Sequence, residues 1–193
     1  TPEAEEIQIE ELPESGDPAI EKDRAPFESW TATTSEDPEV LDRLWQSSAQ
    51  QKVRSLVEEI ADFEGPIDLD RLVTLIARTF GHRRLYDRRA RELAEQVTKS
   101  DVVVDEDAFV CPHTLDPENW QGFRPNDEGA DREFLEISPV EIRNAAAAIL
   151  ARDPQLSRKE LEARILRTFG RRRRTKRVIS HLEKALGKTA PSA

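Results

Sequence analysis

A stretch of 31 residues occurs twice in this chain. Residues 67–97 and 156–186 align without a gap at a shift of 89, with ten identities in 31 positions where chance would give about two. Leu72 and Ile76 return as Leu161 and Ile165, and Arg78-Thr79-Phe80-Gly81 returns as Arg167-Thr168-Phe169-Gly170. Arg83, Arg84 and Arg88 return as Arg172, Arg173 and Arg177, and Leu93 returns as Leu182. Apolar residues three and four apart, closed by a glycine, describe an amphipathic helix with a glycine stop. A duplicated unit of this size must build two small cores rather than one large one. The composition, 37% hydrophobic against 35% charged, suits that arrangement.

In the first copy Asp68 caps a helix whose inner face is Leu69, Leu72, Val73, Ile76 and Phe80. A basic turn and a helix with Ala90, Leu93, Ala94 and Val97 on one face follow. Upstream, Asp37-Pro38 reads as a helix start, with Leu41, Leu44 and Trp45 at helical spacing. Val53, Leu56, Val57 and Ile60 continue that stripe to Glu64-Gly65-Pro66 as one helix, or as two with the break at Ser47-Ser48. Downstream, Val102-Val103-Val104 and Ala108-Phe109-Val110 flank an acidic turn and read as a hairpin. Three helices and a hairpin are the order of a winged helix. In the second copy, Ser138-Pro139-Val140-Glu141 and Ser157-Arg158-Lys159-Glu160 read as capping boxes. The predicted fold is therefore mainly α: two tandem winged-helix-like (helix-turn-helix) units, the first with a β-hairpin wing. The boundaries are a disordered acidic leader (1–36), the first unit (37–111), a connector (112–137), the second unit (138–187) and a tail (188–193). In the leader, Phe27 and Trp30 are apolar enough to dock on the body, and in the connector Trp120 and Phe123 are expected to pack across the units.

Charge is segregated. Residues 1–46 hold 14 acidic and 3 basic side chains, net −11, while the rest of the chain holds 25 and 26, net +1. The overall −10 therefore does not exclude a nucleic-acid partner, because a phosphate backbone feels local potential. The lack of any methionine predicts a processed chain or, in preference, a piece of a larger protein. The lack of a long apolar run or a basic-then-apolar leader predicts a cytoplasmic chain with no membrane partner.

The arginine turns carry the functional prediction. In a helix-turn-helix the N-terminal end of the second helix meets phosphates and base edges. Here that end bears Arg83, Arg84 and Arg88 in one copy. In the other it bears Arg171, Arg172, Arg173, Arg174, Lys176 and Arg177. Guanidinium groups grip phosphates bidentately, and the helix terminus adds partial positive charge. The competing reading is a solvated turn neutralised by Asp87, Glu92 and Asp107, and it is weaker in the second copy, where no acid follows until Glu183. Arg78 and Arg167 read as salt-bridge or helix-capping residues. Cys111 and His113 lack a second ligand pair, and no phosphate loop, nucleophile elbow or dinucleotide fingerprint is present. The expectation is no metal, no cofactor and no catalytic centre.

Glu64-Gly65-Pro66-Ile67, then Ile76-x-Arg78-x-Phe80-Gly81-x-x-Arg84-x-x-x-Arg88, resembles a C-terminal domain of unknown function. That domain is found in large bacterial superfamily 1 DNA helicase-like proteins, often beside a Vsr-type endonuclease-like domain. Asn119 to Arg124 and Glu136 to Glu141 are similar to its connector and its second entry, so the resemblance covers about 50–190. Tyr86 and Thr175 stand where the family has a small residue, and Asp87 and Lys176 where it has serine. The resemblance implies an ATP-driven parent protein whose helicase and nuclease domains are partners of this module. The predicted function is a non-catalytic accessory module that binds nucleic acid, DNA in the first instance. The alternative is a protein-interaction or dimerisation module on the same fold.

Overall fold

The computed structural model describes residues 10–11, 25–33, 35–127, 130–171 and 173–187. The chain forms two compact units, one of residues 28–120 and one of residues 121–193 together with those up to Phe27. Both are mainly helical. Among the described residues no helix is long and apolar enough to cross a membrane.

The first unit begins with a short helix α1 (Glu39–Asp42) and the long α2 (Ser47–Glu64). Ala49, Val53, Val57, Ile60 and Ala61 face inward along α2. The break falls at residues 43–46, and Trp45, expected on the apolar stripe, is 78% exposed. Helix α2 ends at Gly65, which precedes Pro66 and is extended at ψ 141°, and no side chain fits there: a Cβ would lie 2.5 Å from the Ala61 carbonyl and 2.6 Å from the Pro112 ring.

A two-residue strand β2 (Ile67–Asp68) follows, and then α3 (Leu69–Thr79), capped by Asp68, whose carboxylate accepts from the Arg71 N–H. Phe80 closes α3 and Gly81 turns the chain at φ +78°, a left-handed conformation that glycine adopts without strain. Helix α4 (Asp87–Thr98) returns across the core on Leu93 and Val97. The hairpin β3 (Val102–Val104) and β4 (Phe109–Pro112) then pairs antiparallel, with Val103 opposite Cys111. The sheet order is β2-β4-β3. The expected hairpin is present, and β2 adds a third strand that two residues of sequence are too short to announce.

The second unit contains a 3-10 turn (Phe134–Glu136), α5 (Pro139–Arg152), α6 (Arg158–Thr168) and α7 (Lys176–Leu186). Helix α6 has the bounds of α3 advanced by 89 residues, and α7 starts 89 after α4. Phe169 and Leu182 are buried in the second core as Phe80 and Leu93 are in the first. Gly170 turns the chain at φ +69°, as Gly81 does. A strand β5 (Arg173–Arg174) pairs with β1 (Glu10–Glu11). The tail, 188–193, lies outside the described residues, as does most of the leader.

Two expectations about local structure divide. Ser157 and Glu160 form the reciprocal capping box. The Ser157 hydroxyl is the main reason the Glu160 carboxyl is held below its ordinary range, and the Ser157 N–H adds to it. Ser138 instead accepts from the Val140 N–H, and Glu141 turns inward. Fully buried, it pairs with Arg124 and Arg132, each at 3.0 Å. Two partners for one carboxylate outbid a cap at the helix end.

The leader segment nearest the body is also packed rather than disordered. Phe27 is buried, with its ring 3.9 Å from the Arg132 guanidinium and its N–H bonded to the Pro125 carbonyl. Trp30 belongs to the first core, where its N–H donates to Glu64 at 2.7 Å. Phe123 lies in the second core, edge-on to Phe169, and Trp120 is half-buried in the first unit.

Phe169 packs edge-on against both Phe123 and Phe134. Phe169→Ala is expected to cost about 3–5 kcal/mol in denaturant unfolding. An unchanged midpoint would show that the ring is not part of the core.

Candidate nucleic-acid interface

Each repeat places its arginines on the turn between two core helices. In the first unit, Gly81 reverses the chain and the His82 N–H bonds back to the Ala77 carbonyl, which fixes where the next residues emerge. Arg83 and Arg84 are exposed, and among the described residues their guanidinium groups have no hydrogen-bond or ion-pair partner. Arg88, on the first turn of α4, is 87% exposed and reaches Glu92 at 2.9 Å. An exposed pair of this kind contributes little and yields readily to a phosphate. Arg89 differs: it bonds the Leu41 carbonyl and sits 2.6 Å from Asp42, tying α4 to α1. Arg78, expected to form a salt bridge or a cap, is exposed with no partner among the described residues. One short turn therefore presents several cations that have no strong partner among the described residues.

In the second unit Gly170 makes the same reversal, with the Arg171 N–H bonded to the Leu166 carbonyl. Arg171 donates to the Arg173 carbonyl and lies 3.8 Å from Glu133. Arg172 lies outside the described residues. Arg173 and Arg177 are exposed, and among the described residues their guanidinium groups are unpartnered. Lys176 is exposed at the start of α7, and Thr175 caps that helix by accepting from the Val178 N–H. Arg174 is turned to structure: it pairs with Glu162, a buried carboxylate that also holds Arg158 at 2.7 Å.

The structure thus divides the predicted cations by role. Among the described residues the guanidinium groups of Arg83, Arg84, Arg173 and Arg177 have no partner; Arg88 and Arg171 are weakly engaged; Arg174 belongs to the fold. Counting nearby charges in sequence misses Glu133 and Glu162, because both reach the second turn from other elements. Strand β5 places Arg173 opposite Glu11 and Arg174 opposite Glu10, so the acidic leader meets the basic turn backbone to backbone.

The remaining candidate ligands have ordinary roles. His181 is buried with Nε2 2.7 Å from the Ile137 carbonyl, and His113 is 3.1 Å from Asp101. Cys111 is buried in β4. Among the described residues no group of three or more histidine, cysteine or acidic side chains could hold a metal.

This division is measurable as stability. Arg174→Ala is expected to cost about 1.5–3 kcal/mol, because a charge-assisted bond to a buried carboxylate is lost. Arg173→Ala is expected to leave the unfolding midpoint unchanged. Equal effects of the two substitutions would show that the fold does not distinguish them.

A family model described as a protein of unknown function (DUF3320) matches residues 42–91, from the end of α1 to the first turns of α4. The match therefore includes the first arginine turn and excludes the second. No curated protein matches the chain, and no solved structure does.

Proposed function

We propose that this chain is a non-catalytic module that binds nucleic acid, DNA in the first instance, through the arginine turns of its two repeats. The observation that carries the reading is the pair of equivalent positions 84 and 173, exposed in both units and without a partner among the described residues. Arginines held out at helix starts, with no partner among the described residues, suit a ligand of repeated negative charge. The partial positive charge at the N-termini of α4 and α7 reinforces them. In the first unit, the order helix, strand, helix, helix, hairpin and the sheet order β2-β4-β3 support a winged-helix reading, with α4 as the groove-entering helix. The parent we infer is a cytoplasmic bacterial helicase-like protein, of which this chain is an accessory module.

Phosphate contacts dominate such binding and make it salt-dependent. Replacing Arg83, Arg84, Arg173 and Arg177 together with alanine is expected to flatten the slope of log K against log salt by roughly 3–4 units, at ~0.9 per contact. Fluorescence anisotropy on a labelled duplex at several salt concentrations measures it. An unaltered slope would assign these arginines another role.

The leader enters the same reading as a competitor. A segment of net −11 over residues 1–46, paired through Glu10–Glu11 to Arg173–Arg174, offers carboxylates to the surface that would take phosphate. Tethering raises its effective concentration there. A chain starting near Asp37 is expected to bind duplex more tightly than the full chain, most visibly at low salt, where screening is weak. Equal affinities at low salt would make the leader a tether only.

A further inference from the structure

The two most exposed large aromatic side chains line one cleft. Trp45 is 78% exposed and Tyr86 is 70% exposed, and together with Leu41, Leu44 and Arg88 they border an open space of about 500 Å³ beside the first arginine turn. Exposing this much ring surface is unfavourable in water, and neither ring is there through slack in the backbone. The loop that bears Trp45 is held by the Gln50 amide donating to the Leu44 carbonyl at 2.8 Å and by the Gln46 N–H donating to the Arg43 carbonyl at 2.8 Å. Tyr86 is fixed in extended geometry at the start of α4, where its carbonyl accepts from the Ala90 N–H. Arg89, bonded to the Leu41 carbonyl and to Asp42, fastens one wall of the cleft to the other.

We propose that this cleft is a stacking site for an unpaired base, so that the first unit binds single-stranded nucleic acid or the frayed end of a duplex; the inference rests on the nucleic-acid reading above. Rings presented on a rigid backbone next to cations make a stacking platform, since every base has a flat face. The charge around the cleft selects this occupant over an apolar protein segment. Each of the two carboxylates that line the cleft faces an arginine, Asp42 with Arg89 and, more weakly, Glu92 with Arg88. Arg83 and Arg84, without a partner among the described residues, stand three and two positions before Tyr86 on the same turn, where the phosphates flanking a stacked base would run.

The test measures the full chain against labelled oligo(dT) and against a labelled duplex of equal length. Because both rings are exposed, Trp45→Ala and Tyr86→Ala leave the core intact, which their unfolding midpoints check. Each is expected to weaken oligo(dT) binding by about 5- to 100-fold, the range for one lost base–aromatic stack, while duplex binding changes less than twofold. Trp45→Phe is expected to restore most of the loss. Unchanged oligo(dT) binding in both variants, with both ligands weakened by Arg83→Ala/Arg84→Ala, would overturn the stacking site and leave the arginine reading standing. Failure of the unaltered chain to bind either nucleic acid would overturn both. Loss of self-association in Trp45→Ala, with oligo(dT) binding unchanged, would instead assign the cleft to a protein contact.

Discussion

A carboxylate removed entirely from water has to be surrounded, and Glu141 organises the second unit around that need. An isolated buried charge is so unfavourable that Arg124 and Arg132 must both close on it. That draws Arg124 and Arg132, which lie in neither a helix nor a strand, onto the start of α5. The Arg132 guanidinium then offers its flat face to the Phe27 ring, so one buried charge also seats the end of the leader. The first unit repeats the device with other residues. Glu64, buried at the end of α2, takes Arg71 at 2.8 Å and the Trp30 N–H at 2.7 Å. In both units the duplicated helices supply a generic core, and a buried glutamate fastens irregular chain to it.

The same rule explains which arginines are available. A guanidinium joins the fold where a carboxylate is buried within reach, as Arg174 does with Glu162 and Arg71 with Glu64. Arg89 joins it by another route, through the exposed Asp42 and the Leu41 carbonyl. Arg83 and Arg84 leave α3 on a reversal fixed by Gly81, with no such acid beside them. Among the described residues each repeat keeps two of these arginines without a partner, Arg83 and Arg84 in the first and Arg173 and Arg177 in the second.

Much of this molecule is legible from its residues alone. The repeat, the bounds of α3 and α6, the glycine stops, the burial of Phe80 and Phe169 and the hairpin after α4 follow from interactions three or four residues apart or from one backbone conformation. The Ser157 cap belongs with them. Local rules misled at Trp45, where helical spacing placed an apolar residue inward but α1 stops at Asp42, and at Glu141, where a capping pattern competed with two arginines.

The sequence by itself therefore determined two small helical cores and the places where the basic turns emerge, because helix periodicity and glycine reversals are short-range physics. Tertiary structure alone decided which cations are spent and which remain. The carboxylates that decide it arrive from far along the chain: Asp42 reaches Arg89 across 47 residues and Glu141 reaches Arg124 across 17. A charge pattern read locally does not contain its distant partners, and only folding brings them within hydrogen-bonding distance.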